Sequence, residues 1–174
     1  MRPIIYLFVC CSLLLVSCVD VPNFDDTPRI AFNNIDKFEV FDSFSQTNSD
    51  SVVITIDFED GDGDLGLSPA ERSDTNLINA IYRDWGNYEY TTLRLVNGRF
   101  EELPSSVSGK LFFPVLKRDG KAGPIKGKLD FSVIYFQDRF TRPATVKYRV
   151  RIRDRALRVS NVIETDTITV SLAQ

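Results

Sequence analysis

The chain has 174 residues, 43% of them hydrophobic and 26% charged, and a formal net charge of −3. That length suits one domain with a sizeable core, and the mild acidity argues against nucleic acid as a main partner. There is no histidine, which excludes Ser-His-Asp and Cys-His nucleophilic sites, histidine general bases and nearly every zinc site.

Ile4 to Val16 carries no charge and is preceded by Arg2. A positive start, a short apolar core and a small residue before Cys18 follow the order of a secretory signal peptide, whereas a membrane span needs about 20 apolar residues. The ending Leu15-Val16-Ser17-Cys18 resembles the lipobox of bacterial lipoproteins, where the cysteine takes a diacylglyceryl group and becomes the new N-terminus. The expectation is therefore a signal peptide over residues 1–17 and a membrane anchor at Cys18. The alternative is an ordinary secreted protein cut nearby. Cys10, Cys11 and Cys18 are the three cysteines, so whatever folds after Cys18 has no disulfide and is held by its core, or by its core and a bound ion. Without Arg2, 20 basic residues face 24 acidic ones, a charge of −4.

Residues 18–28 read as the lipidated cysteine and a tether, since Val19 to Pro28 holds two prolines, three aspartates and no periodicity. From residue 29 the readable signal has period two. A weak strand is expected over Arg29–Asn33. Val52, Ile54, Ile56 and Phe58 share one strand face, as do Val146, Tyr148, Val150 and Ile152, and then Ile168, Val170 and Leu172. Leu111–Leu116 and Leu129–Phe136 are denser apolar runs that predict more completely buried strands. Asn97-Gly98 inside Thr91–Leu103 predicts a hairpin with a two-residue type I′ turn. Pro69–Ile81 has room for a short helical turn. Together these predict an all-β chain: an antiparallel, immunoglobulin-like β-sandwich of about seven to eight strands over residues 29–174.

Directly after the strand ending at Phe58 comes Asp60-Gly-Asp-Gly-Asp-Leu-Gly66. Three carboxylates on alternate residues, with glycines between them, can wrap one hard cation such as calcium. With Asp60 as position one, Asp62, Asp64, Ser68 and Glu71 fall at positions three, five, nine and twelve of an EF-hand loop. The glycine required at position six is replaced by Leu65, and no flanking helices are evident. The expectation is thus a DxDxD calcium loop on a β scaffold, with a structural ion; the alternative is a solvated acidic turn. Asp154, in the loop between the last two strands, would reach the same end of such a sandwich and add a ligand. Its alternative role is to form a turn or pair with neighbouring arginines.

DGDGDLG, the patch Trp85-Gly86-Asn87-Tyr88, LRLVNGRFEEL and the late Asp154-Arg155-Ala156…Ser160-Asn161 resemble uncharacterised lipoproteins of Bacteroidetes over Pro28 to Leu172. The resemblance implies an immunoglobulin-like sandwich on a lipid anchor and no particular activity.

Two further groups were candidates for ligand binding. Lys147, Arg149, Arg151 and Arg153, extended by Arg94, form a basic stripe that either binds an anion or is neutralised by Glu164, Asp166 or other carboxylates. Tyr82, Trp85, Tyr88 and Tyr90 either make a sugar-stacking platform or fold inward as a lid. Carboxylate-based hydrolysis needs two acids across a cleft, and no pair is marked. The expected function is a non-catalytic, calcium-stabilised binding or assembly module. It would be an envelope lipoprotein of a Gram-negative bacterium, held in the outer membrane through Cys18 and meeting an envelope protein or glycan. A glycan-binding accessory protein using Trp85 and its neighbouring tyrosines is the alternative.

Overall fold

The computed structural model describes residues 22–44, 46–104, 110–117 and 119–173. The expected signal peptide and Cys18 lie outside the described residues. The described elements are β1 (Arg29–Asp42), β2 (Thr47–Asp60), α1 (Pro69–Ser73), α2 (Thr75–Ile81), β3 (Tyr88–Val96), β4 (Arg99–Glu102), β5 (Ile125–Phe136), β6 (Thr141–Ile152), β7 (Ile163–Glu164) and β8 (Ile168–Ala173). No described helix is long and apolar enough to cross a membrane.

One sheet has the order β1-β2-β5. The other runs β4-β3-β6, with β7 and β8 both pairing the far edge of β6. Every ladder is antiparallel. This is the immunoglobulin-like arrangement, strands A-B-E against C′-C-F-G. Its core comes from the period-two stripes of the two central strands. Val52, Ile54, Ile56 and Phe58 of β2 face Val146, Tyr148, Val150 and Ile152 of β6, all buried. Tyr148 and Tyr135 share a hydroxyl–hydroxyl hydrogen bond of 2.9 Å within this layer. Asn97 and Gly98 have φ of 49° and 80° and join β3 to β4, as the hairpin signal predicts.

Three expectations are corrected. β1 runs to Asp42 rather than ending at Asn33, because pairing with β2, from Phe32↔Ile56 to Asp42↔Thr47, carries it past the core. There its side chains are mostly exposed, so no alternation is left to read. Leu129–Phe136 is not buried on both faces: Val133 points inward, while Ile134 and Phe136 are 56% and 70% exposed. Only one face of this sheet is covered by the other. Leu111–Leu116 is a connector, not a strand. Its backbone is bonded to the β2–β3 connection through Leu116 N–H to Leu65 O (3.1 Å), Leu67 N–H to Phe113 O (3.2 Å) and Asn87 N–H to Leu111 O (3.0 Å).

Asn87 is the pin of that arrangement. It is 1% exposed; its Oδ1 accepts from Phe113 N–H at 2.8 Å, and its Nδ2 donates to Phe113 O at 3.2 Å. Asn87→Ala leaves a buried N–H without its partner, a loss of about 1–3 kcal/mol. Urea unfolding should show a lowered midpoint with an unchanged slope.

Candidate metal centre

The inward stripe of β2 does not stop at the last apolar residue. Val52, Ile54, Ile56 and Phe58 are followed at the next inward position by Asp60, which is 0% exposed. On β6, Val150 and Ile152 are followed in the same way by Asp154, 1% exposed. The alternation that builds the core therefore also drives one carboxylate from each sheet into the end of the sandwich. Asp60, Asp64 and Asp154 each offer an oxygen there, all within 4.8 Å of one another. The β2–β3 and β6–β7 connections meet at this end, as expected for the fold.

Three carboxylates at this end are positioned through one oxygen and leave the other without a hydrogen bond. Asp60 Oδ2 accepts from Asp64 N–H at 3.1 Å, and Asp154 Oδ1 accepts from Arg158 N–H at 2.8 Å. Asp62 Oδ2 accepts from both terminal nitrogens of Arg158, each at 2.8 Å. Asp60 Oδ1, Asp62 Oδ1, Asp64 Oδ1 and Asp154 Oδ2 are sealed from solvent with no hydrogen bond. The Arg158 guanidinium approaches Asp154 Oδ2 at 3.4 Å, near enough for an ion pair but outside hydrogen-bond geometry.

Burial, with the charges of Asp62 and Asp64, pushes the Asp60 carboxyl up to about 7. Burial also raises Asp154 to about 6, against the Arg158 N–H bond that favours its ionised form. Asp64 is raised as well, by burial and by the Asp62 charge.

Glu71, expected as a ligand, is engaged with Ser68 and Arg155 instead. Ser68 N–H donates to Glu71 Oε2 at 2.8 Å, Glu71 N–H donates to Ser68 Oγ at 3.3 Å, and Pro69 opens α1: a reciprocal capping box. The other oxygen of Glu71 pairs with Arg155. The displaced glycine also has its own cause. Gly66 has φ +96°, and a Cβ there would lie 2.0 Å from Pro114 O, so it serves the contact with the Leu111–Leu116 connector rather than a calcium-loop turn.

The other candidates assemble no free surface. Lys147 pairs with Glu164 at 2.5 Å, Arg149 with Glu102 at 2.7 Å and Glu164 at 3.3 Å, and Arg151 with Glu89. Arg153 turns inward, donating to Gly86 O at 2.7 Å and to Trp85 O. Arg94 does not extend the stripe, because its register opposite Val146 puts it on the other face. Tyr82 and Tyr88 are each 2% exposed. Tyr88 stacks on Phe131 at 4.3 Å, Tyr90 packs against Phe131 and Tyr148, and half-buried Trp85 has Arg151 and Arg153 within 4.7 Å of its ring centre. Sequence reading missed Arg158 altogether; its partner Asp62 lies 96 positions away, so no local spacing marks it. The two inward stripes, continued by one step, would have marked Asp60 and Asp154 together.

Raised carboxyl pKa values fix the direction of a pH effect. Without a cation, the folded chain keeps protons on Asp60 and Asp154 that the unfolded chain releases near about 3.9. The folded state then binds more protons, and stability falls as pH rises from about 4 to about 7. In chelator, the thermal midpoint should therefore drop across that range and level off above it. Asp60→Asn should flatten most of the drop. No protein-family model, curated protein or solved structure matches this chain, so the reading of the centre stands on its geometry.

Proposed function

We propose that this chain is a non-catalytic envelope lipoprotein of a Gram-negative bacterium, anchored in the outer membrane through Cys18. Its immunoglobulin-like domain is a binding or assembly module whose loop end is fixed by a calcium ion. The observation that carries the ion is the convergence of Asp60, Asp64 and Asp154 within 4.8 Å, each with a sealed oxygen that makes no hydrogen bond. An all-oxygen, anionic ligand set suits calcium, which takes six to eight oxygens at about 2.3–2.6 Å. Asp60, Asp64 and Asp154 would hold it, with Asp62 beside them. The ion supplies positive charge where the fold has buried negative charge.

Two further observations favour a binding or assembly module over the alternatives. Of the aromatics that a sugar platform would need exposed, Tyr82 and Tyr88 are buried and Tyr90 is packed against the core. The carboxylates with raised pKa converge on one sealed point instead of standing across an open cleft, as hydrolysis requires.

Thermal unfolding tests the ion. At a free calcium concentration of 100 times Kd, the gain is about 2.7 kcal/mol, or roughly 5–10 °C for a domain of this size. Asp60→Asn combined with Asp154→Asn should abolish the shift, whereas Glu71→Ala should keep it while lowering the midpoint through its lost cap. No shift at millimolar calcium would reduce the loop to an acidic turn. The anchor is tested separately: Cys18→Ala should move the protein out of the membrane fraction.

A further inference from the structure

The N-terminal arm does not leave the domain freely. Gly61 N–H donates to Asp25 O at 2.8 Å. The two backbones run so close that a Cβ on Gly61 would lie 2.5 Å from Phe24 O and 2.9 Å from Asp25 O. Arg158 completes the contact. Its guanidinium grips Asp62 Oδ2 through both terminal nitrogens, one of which also donates to Asp26 O, while its own N–H holds Asp154 Oδ1. The remaining Asp62 oxygen, Oδ1, is one of the four sealed atoms without a partner. Asp62 thus lies between Asp60 and Asp64, two of the three carboxylates that converge on the centre, and holds the arm through Arg158.

We propose that cation binding at the Asp60–Asp64–Asp154 centre clamps Phe24–Asp26 onto the domain through Arg158 and Gly61, so that the ion sets the free length of the arm. The proposal rests on the cation reading above and adds its consequence. Asp62 sits between Asp60 and Asp64, so an ion that fixes those two carboxylates also fixes the loop that offers Asp62 Oδ2 to Arg158. Without the ion, mutual repulsion among the carboxylates works against the loop geometry that presents Gly61 N–H and Asp62 Oδ2 to the arm. With it, both are held in place. The difference in reach is large. A ten-residue arm reaching back from Pro28 spans at most about 33 Å, whereas docking at Phe24–Asp26 leaves five residues of reach, at most about 17 Å. A domain held at Cys18 would then sit at about half the distance from its anchor, and in a narrower range of orientations.

Hydrogen exchange tests this on the whole chain, purified in detergent, with calcium or chelator, alongside calorimetric calcium binding on the same samples. Calcium should slow exchange at Gly61 and across residues 22–28 by tenfold or more. Arg158→Gln should still bind calcium but lose most of the protection in residues 22–28. Gly61→Ala, whose new methyl group collides with Phe24 O, should lose it as well with every carboxylate intact. Calcium binding without slowed exchange in either segment would overturn the clamp and leave the cation reading standing. Equal protection in Arg158→Gln would overturn the bridge through Asp62. No calorimetric binding would overturn the cation reading, and the clamp with it.

Discussion

Three carboxylates converge at one end of the sandwich because two strands bury alternate residues and do not stop doing so when the side chains become acidic. Asp60 and Asp154 occupy the next inward positions of β2 and β6, and the loop after β2 adds Asp64, with Asp62 beside it. At the separations found here, two full charges repel by about 3 kcal/mol even at an effective dielectric of about 20. One guanidinium, Arg158, cannot neutralise four carboxylates. The fold must therefore accept protons at this end or take a cation there, and its raised carboxyl pKa values express the first choice.

The surrounding bonds favour the second choice. A carboxylate held through one oxygen has a fixed plane, so its other oxygen points in a fixed direction without further loss of rotamer freedom. Asp60 is held by Asp64 N–H, Asp154 by Arg158 N–H and Asp62 by the Arg158 side chain. These contacts come from two connections far apart in sequence, and the strand order of the sandwich is what brings them together. Residues of the DRA…SN segment do the same for the neighbouring frame. Ser160 Oγ accepts from Ile152 N–H at 3.0 Å, and Asn161 exchanges two hydrogen bonds with Ile30 at the start of β1. The loop that delivers Asp154 is therefore fastened to both sheets.

The fold was legible where one face of a strand is dry. Val52–Phe58 and Val146–Ile152 carry the pattern, and Asn97-Gly98 marks its hairpin by backbone conformation alone. Legibility failed where pairing persists without burial, as in β1 beyond Ile35, and where an apolar run is fastened by loop bonds instead of a ladder, as in Leu111–Leu116. In the site, the aspartates of DGDGD stood out by composition. Glu71 reads as a ligand in sequence because the spacing of its capping box with Ser68 coincides with positions nine and twelve of a calcium loop. Arg158 was invisible, since its meaning depends on Asp62 at a distance that only the fold closes. The neutralised stripe was half legible: Glu164 was foreseen, but Glu89 and Glu102 arrive from strands β3 and β4 by register.

With no cysteine among the described residues, an ion at this end would have a narrower role than a substitute cross-link. In immunoglobulin domains the inter-sheet disulfide joins the strands equivalent to β2 and β6 at the middle of the core. Here that space is filled by Ile54, Ile56, Tyr148 and Val150, each 0% exposed. The middle of the sandwich needs no clasp. An ion saturated at 100 times its Kd contributes about 2.7 kcal/mol, against a total of about 5–15 kcal/mol for a typical domain. It is large enough to decide the conformation of the end where Asp60 and Asp154 meet, and too small to be what folds the chain. The core therefore sets most of the stability of this protein, and charge at the aspartates sets the state of the loop end together with a smaller share of that stability.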